Sequence, residues 1–249
     1  MHHGFWIDGR ESSSQAARQL IELIASRAQI TPGRRVCDIG CGYGATARML
    51  AREFGAEVTA MTISPAQFRF AEAAADGENV RYLLGDWLHN DLPPASFDVA
   101  IAVESSEHMP DKAAFFAQAL RVLKPGGRLL VCAWLASERS SAAENRFLLE
   151  PICREGRMPH MGTEADYHKL CEEAGFAEVA YEDLTARVKK TWPICASRFL
   201  AALCRQPRYA RFLFNGHARN RVFALTIFRI WLAYEIGAMR YGIFTACKV

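Results

Sequence analysis

The chain has 249 residues, 51% of them hydrophobic and 23% charged, with 17 Gly and 10 Pro. That supplies ample apolar material for a sizeable core and excludes collagen-like and long disordered classes. The formal charge of +3 conceals a division: residues 185–249 hold twelve Lys and Arg against one acid, Glu235, whereas residues 1–184 hold 18 basic and 26 acidic side chains, so the two parts carry +11 and −8.

From about residue 11 to 134, helical and extended patterns alternate. Ser14 to Gln29 has helical periodicity, RRVCDIG reads as a short apolar strand, Ala45 to Phe54 as a helix, and AEVTAMTI as a strand. Ser64 before Pro65 has the chemistry of a helix cap followed by proline at the first helical position, opening a helix to about Ala75. The strands VRYLLG and FDVAIAV follow, then a helix from Asp111 to Leu123, the turn KPGG and the strand RLLVCAW. This spacing predicts βαβ units and a mostly parallel sheet. After Trp134 the alternation lapses. SERSSAAEN reads as a polar connection, Thr163 to Ala174 as a helix stopped by Gly175, and FAEVAYEDL as a strand. Helices at about 193–205 and 217–236 precede a last strand, YGIFTACKV. The expectation is a single domain over 1–249, with a core at 11–134, a cap from 135–165 and 185–236, and a final strand at 237–249.

The opening MHHGFWIDGRESSSQ has no apolar run of secretory length, and the stretch from Val222 to Ile236 is too short to span a bilayer and is interrupted by Arg229 and Glu235. Eight cysteines include no C-x-x-C pair and mostly sit in apolar runs. They are read as reduced core thiols of a cytoplasmic protein, with no metal site.

The most specific segment is VCDIGCGYGATARML, residues 36–50. A strand ends at Ile39, Gly40, Gly42 and Gly44 follow at alternate positions, and a helix begins at once. Such a loop lets a ligand approach the backbone and meet free N–H groups at a helix start. It also fits the dinucleotide fingerprint G-x-G-x-x-A. Asp38 separates the two readings, because a carboxylate beside the cleft repels a pyrophosphate but pairs with a cationic ammonium group. In order along the chain, D-x-G-x-G-x-G, VTAMTISPAQ, GDW and LKPGGRLLV resemble the motifs of class I S-adenosylmethionine-dependent methyltransferases. The resemblance implies a Rossmann-like seven-stranded sheet of order 3-2-1-4-5-7-6 with a helical acceptor-binding cap, and S-adenosylmethionine as cofactor. The rival class is an NAD-dependent oxidoreductase, and a non-catalytic cofactor-binding protein is a third.

Carried over position by position, the resemblance assigns the methionine part of the cofactor to Asp38 and to the loop Gly40, Cys41, Gly42 and Gly44. TISPAQ resembles the TLSPxQ form of tocopherol, sterol and cyclopropane-forming enzymes, which points to Thr62 and Gln67 as neutral ribose partners. Asp86 would accept from the adenine amino group, and Trp87 either packs on the purine or belongs to the core. HHGFW at 2–6, ESSEHMPDK at 104–112 against a family pattern near ESGEHMPDK, DYHKLCEEAGF at 166–176 and the ending YGIFTACK resemble the γ-tocopherol methyltransferase-like branch. Because the HHGF motif follows a helix in those relatives, the native N-terminus is expected either upstream or at an unusually late start.

Methyl transfer from a sulfonium needs chiefly alignment, exclusion of water and removal of one proton. Glu107 is the expected base or orienter with His108 as its partner, the alternative being a solvated Glu107 ahead of a helix capped by Asp111. Glu104 is either a second acid of the same site or a buried hydrogen-bonding residue. His2 and His3 are expected to order the N-terminus over the cofactor, unless they are merely start-site or tag residues. The basic C-terminal segment interleaves aromatic residues with arginines without any recognisable nucleic-acid module, so nucleic acid is not expected as a partner. Instead it suits a small lipophilic acceptor with an anionic or phenolic head, with contact to an anionic membrane surface as a further expectation. Sugar or other natural-product O-methylation is the alternative activity, and the oligomeric state is not legible.

Overall fold

A computed structural model of the chain describes residues 2–206 and 223–249. The helix α1 (Ser13–Arg27) turns Ala16, Leu20, Ile21 and Ile24 inward, and leads into β1 (Arg35–Ile39) and α2 (Ala45–Phe54). Then come β2 (Glu57–Thr62), α3 (Pro65–Ala73), β3 (Val80–Leu84), β4 (Phe97–Val103), α4 (Lys112–Val122) and β5 (Leu123–Ala136). As expected from the Ser-Pro pair, the Ser64 hydroxyl accepts from the Gln67 amide at the start of α3.

The seven strands form one sheet in the order β3-β2-β1-β4-β5-β7-β6, where β6 is Phe176–Asp183 and β7 is Met239–Lys248. β7 is antiparallel to both neighbours and the other pairings are parallel. Alternate residues feed opposite faces. Val36, Val58, Val99, Ile101, Leu130 and Cys132 join the core under α1 and α2, while Cys37, Ile39, Ala100, Leu129 and Val131 join the core under α4. Four of the thiols, Cys37, Cys132, Cys153 and Cys171, are buried and free. Strand order reverses between β1 and β4, and open α/β sheets bind ligands outside the carboxyl ends of strands at that point.

Two segments differ from the sequence expectation. KPGG lies inside β5: Phe97 pairs with Leu123 and Val99 with Arg128, so the tetrapeptide bulges out while pairing resumes beyond it. Residues 142–145 of SERSSAAEN are helical rather than a polar connection, and the helical run continues to Gly156 within the expected helical cap. α5 (Ala142–Glu144), capped by Ser141, passes through a π-helical turn at Asn145–Leu149 into α6 (Glu150–Gly156), where Pro151 has no N–H to give to the preceding turn. A wider turn resets the apolar period, which hides such a helix from a 3.6-residue pattern.

The remaining helices are α7 (Glu164–Glu173), predicted over Thr163 to Ala174 and capped by Thr163, α8 (Thr185–Val188), α9 (Thr191–Arg205) and α10 (Phe223–Glu235). Residues 217–222 of the last predicted helix lie outside the described residues. α10 packs on α6 and α9 to form the helical cap. The basic segment folds onto acids of the first part. Glu155 on α6 accepts from Arg229 at 2.6 Å and from the Thr226 hydroxyl, and Arg240 reaches Asp183 at 3.0 Å. Among the described residues no helix is long and apolar enough to cross a membrane.

Candidate active site

Between the carboxyl ends of β1 and β4 and the cap lies a cavity of about 1520 Å³. Its floor is the glycine loop, where Gly40, Gly42 and Gly44 have φ of 78°, 56° and 74°. A Cβ on Gly40 would lie 2.5 Å from Ser105 Cβ, whereas one on Gly42 would meet no protein atom within 4 Å. The first glycine therefore lets two strands approach, and the second leaves room for a ligand. The loop is pinned by the Gly40 and Cys41 amides donating to the Met61 carbonyl, at 2.9 and 2.8 Å, and by the Ser105 hydroxyl donating to the Ile39 carbonyl.

Asp38 borders the cavity with 2% of its surface exposed, and its Oδ2 has no hydrogen-bond partner. Burial pushes its carboxyl up to about 7. At the end of β2 the Thr62 hydroxyl donates to Gln67 Oε1 at 2.8 Å, which fixes the amide at the cavity wall. Asp86 accepts from the Leu88 amide at 3.0 Å and meets His89 Nδ1 at 3.1 Å, and these bonds hold its carboxyl below the usual range. Trp87 is buried, its indole N–H donates to the Phe115 carbonyl, and it also borders the cavity. Cys41 is half-buried in the loop, and burial pushes its thiol up.

The opposite wall holds two glutamates in different circumstances. Glu104, at φ 53°, accepts through Oε1 from the His3 amide (2.8 Å), His3 Nδ1 (2.9 Å) and the Tyr241 hydroxyl (3.0 Å). The Trp192 indole donates to His3 Nε2 at 2.7 Å. Since an indole N–H can only donate, Nε2 carries a lone pair and the ring proton sits on Nδ1, facing Glu104. Burial pushes the Glu104 carboxyl up, yet the His3 donors outweigh it and hold the group well below the ordinary carboxylate range. Glu104 thus borders the cavity half-buried, with its Oε1 held by three donors of its own chain. His3 belongs to that network, and His2 borders the cavity with its ring against the His3 carbonyl.

Glu107 lies on a 3₁₀ turn, Ser106–His108, and is 2% exposed, which removes the solvated alternative. Its Oε1 accepts from the Trp134 amide at 2.6 Å and its Oε2 from the Ser106 hydroxyl at 3.2 Å, with Tyr167 OH 2.9 Å from Ser106 Oγ. Burial still pushes its carboxyl up to about 7. The expected pairing with His108 does not form. Consecutive side chains on a tight turn diverge, and the His108 ring is exposed at the cavity edge while Glu107 turns inward. Asp111 does cap α4, accepting from the Ala114 amide at 2.8 Å. Sequence reasoning missed Trp134, Tyr167 and Tyr241. It also missed Ser106, whose signal was present as the serine that replaces glycine of the family pattern.

Residues 37–131 match the family described as a methyltransferase domain. Over 226 residues the chain is 30% identical to the 2-methyl-6-phytyl-1,4-hydroquinone methyltransferase of Synechocystis sp., covering 88% of this chain and 70% of that protein. The chain belongs to the class I S-adenosylmethionine-dependent methyltransferases, in the tocopherol methyltransferase-like branch. The methyltransferase is also 32% identical over 212 residues to a probable chloroplastic tocopherol O-methyltransferase of Oryza sativa subsp. japonica, of whose length it spans 58%. The crystal structure of the [4+2]-cyclase SpnF matches all of this chain and 87% of that one, with a TM-score of 0.84 and 28% identity. The methyltransferase's site fits the cofactor: the unpartnered, buried Asp38 oxygen is what a cationic ligand satisfies, and the loop beside Gly42 has the room that the ligand needs.

Proposed function

We propose that this methyltransferase acts on a small lipophilic, aromatic acceptor of the phenol or quinol class, with Glu107 accepting its proton. S-adenosylmethionine, when bound, supplies an electrophilic methyl carbon with a neutral thioether as leaving group. Asp38 pairs with the cofactor's cationic part and the Gly40–Gly44 loop lets it approach the backbone. Thr62 and Gln67 serve the ribose, and Asp86 serves the adenine amino group. The acceptor occupies the part of the cavity walled by Ile21, Met49, Ile152, Met158 and Ile230, an apolar lining that favours a lipophilic ring over a sugar. Arg157, exposed at the rim, suits an anionic or phenolic head.

The observation that carries this reading is Glu107: a buried carboxylate beside the cavity, held from behind by two donors and with a proton affinity matched to neutral pH. A screen of phenols, quinols, isoprenoids and sugars with methyl-labelled cofactor tests it. Label transfer to a phenol or quinol is expected, and transfer confined to sugars overturns the acceptor class.

We further propose a cytoplasmic enzyme that rests on anionic membrane surfaces through its cap. Leu200, Trp231, Leu232 and Ile236 are exposed on or beside α9 and α10, with Arg198 and Arg205 exposed on α9. Pelleting with phosphatidylglycerol vesicles but not with phosphatidylcholine vesicles is the expected outcome, and equal recovery with both refutes the contact.

A further inference from the structure

Two residues bordering the cavity carry a buried polar atom with no partner among the described residues: Asp38 Oδ2, which can accept, and Trp134 Nε1, which can only donate. Buried donors without partners are rare in native proteins, and a ligand commonly completes them. The cofactor's cation accounts for the first. Trp134 Nε1 is the one buried side-chain nitrogen left over among the described residues.

The indole is held in place. It meets the His3 ring edge-on at 5.3 Å and 82°, and the Trp192 ring at 5.5 Å and 90°. The backbone of the same residue donates to Glu107 Oε1 at 2.6 Å, so the carboxylate and the indole are anchored to one point of β5. Glu107 and Trp134 both border the cavity and are coupled by that bond, the one carrying a proton acceptor and the other an unpartnered N–H donor. A hydroxyl answers both, since its proton goes to a carboxylate and its lone pair accepts from an N–H. An ammonium group has no lone pair for the indole, and a hydrocarbon carbon answers neither.

We propose that Trp134 Nε1–H and Glu107 together form the receptor for an acceptor's hydroxyl, which makes Trp134 a specificity-determining residue for oxygen-bearing acceptors. The proposal rests on the reading of Glu107 as proton acceptor. As the O–H proton passes to the Glu107 carboxylate, its bonding pair stays on oxygen, and the indole bond strengthens because it now serves a charged acceptor.

The test uses the full chain with ¹⁵N-labelled indoles, loaded with S-adenosylhomocysteine, and follows the five tryptophan side-chain N–H resonances, with Trp134 assigned through its contacts to His3 and Trp192. Trimethylhydroquinone and the matched hydrocarbon 1,2,4-trimethylbenzene serve as probes, and the methyl signals of Met49 and Met158 report that each has entered the cavity. The hydroquinone should move the Trp134 resonance downfield and slow its solvent exchange, and the hydrocarbon should not. The Trp134→Phe variant should methylate trimethylhydroquinone about tenfold less efficiently in kcat/KM. If the hydroquinone shifts the methionine methyls and leaves the Trp134 resonance unmoved, the proposal is overturned while the phenolic reading stands. If the hydroquinone neither enters nor is methylated, both fall together. The wild-type titration holds whether or not the variant folds.

Discussion

The proposed cofactor and acceptor halves of the cavity are built by opposite means. On the cofactor side the functional groups come from short local segments, the glycine loop, the end of β2 and the turn after β3, each within a few residues of the strand that presents it. On the acceptor side the wall is assembled from residues distant in sequence: His3 joins Glu104 and Trp192 across separations of 101 and 189 residues, and Ser106 meets Tyr167. The cofactor half asks little beyond local turns and one unpaired carboxylate. The acceptor half depends on long-range packing, which is where related chains can diverge while sharing a donor.

The sharpest way to separate the halves is Glu107→Gln. Its kcat should fall by about 10²- to 10⁴-fold, the usual worth of a positioned base, with cofactor affinity in calorimetry unchanged. Loss of cofactor binding as well would dissolve the division. Conversely, Asp38→Asn should weaken cofactor binding by about 10- to 100-fold, the size of a lost bond to a charged group, and leave the bound turnover rate nearly intact. Because burial raises Asp38 to about 7, a cationic ligand must displace its proton below that pH. Cofactor affinity should therefore rise up to about pH 7 and level off above it, and the Asn variant should lose the slope.

Stability should carry the same signature with the sign of a raised carboxyl. Asp38 and Glu107, both at about 7, hold protons in the folded chain that ordinary carboxyls of the unfolded chain release near pH 4. The ligand-free protein should lose stability as pH rises from about 4 to 7, by up to about 1.4 kcal/mol per pH unit per group, in denaturant melts. Each neutral variant should flatten its own share. The smallest effect is expected in the cap, where Arg229→Met leaves the buried Glu155 without its cation. A loss of about 1–2 kcal/mol in the same melts, discounted for the partial exposure of the arginine, should accompany a weaker acceptor KM and an unaltered cofactor Kd.

That the residues proposed for the cofactor border one cavity was readable because they lie in short local segments. Asp38 and the alternate glycines, Ser64-Pro65 ahead of α3, and Thr62 with Gln67 five residues on all announce themselves within a short window. Strand order followed from the resemblance, and the parallel character from helices and strands that alternate. Glu107 was visible as a residue type at the right edge of the sheet, but its partners were not, since nothing near residue 107 says that the amide of Trp134 and the Ser106 hydroxyl will face it. The expected His108 partnership failed on the geometry of a tight turn. Glu104 was read either as a site acid or as a hydrogen-bonding residue, and its partner His3 was hidden by a separation of 101 residues. The helix start at 142–145 escaped for a different reason, since it lies within the polar run SERSSAAEN and leads straight into a π turn that shifts the apolar period.

The hydrogen bonds that His3 and Tyr241 make to Glu104 also impose an order in time. During synthesis the glycine loop and its neighbouring strands emerge early, but β5 gains its antiparallel partner, and the acceptor wall its last donor, only when residues 239–248 arrive. A ribosome-bound chain halted before residue 239 therefore contains the entire cofactor half and cannot close the other. Only when residues 239–248 follow can His3 and Tyr241 meet across Glu104.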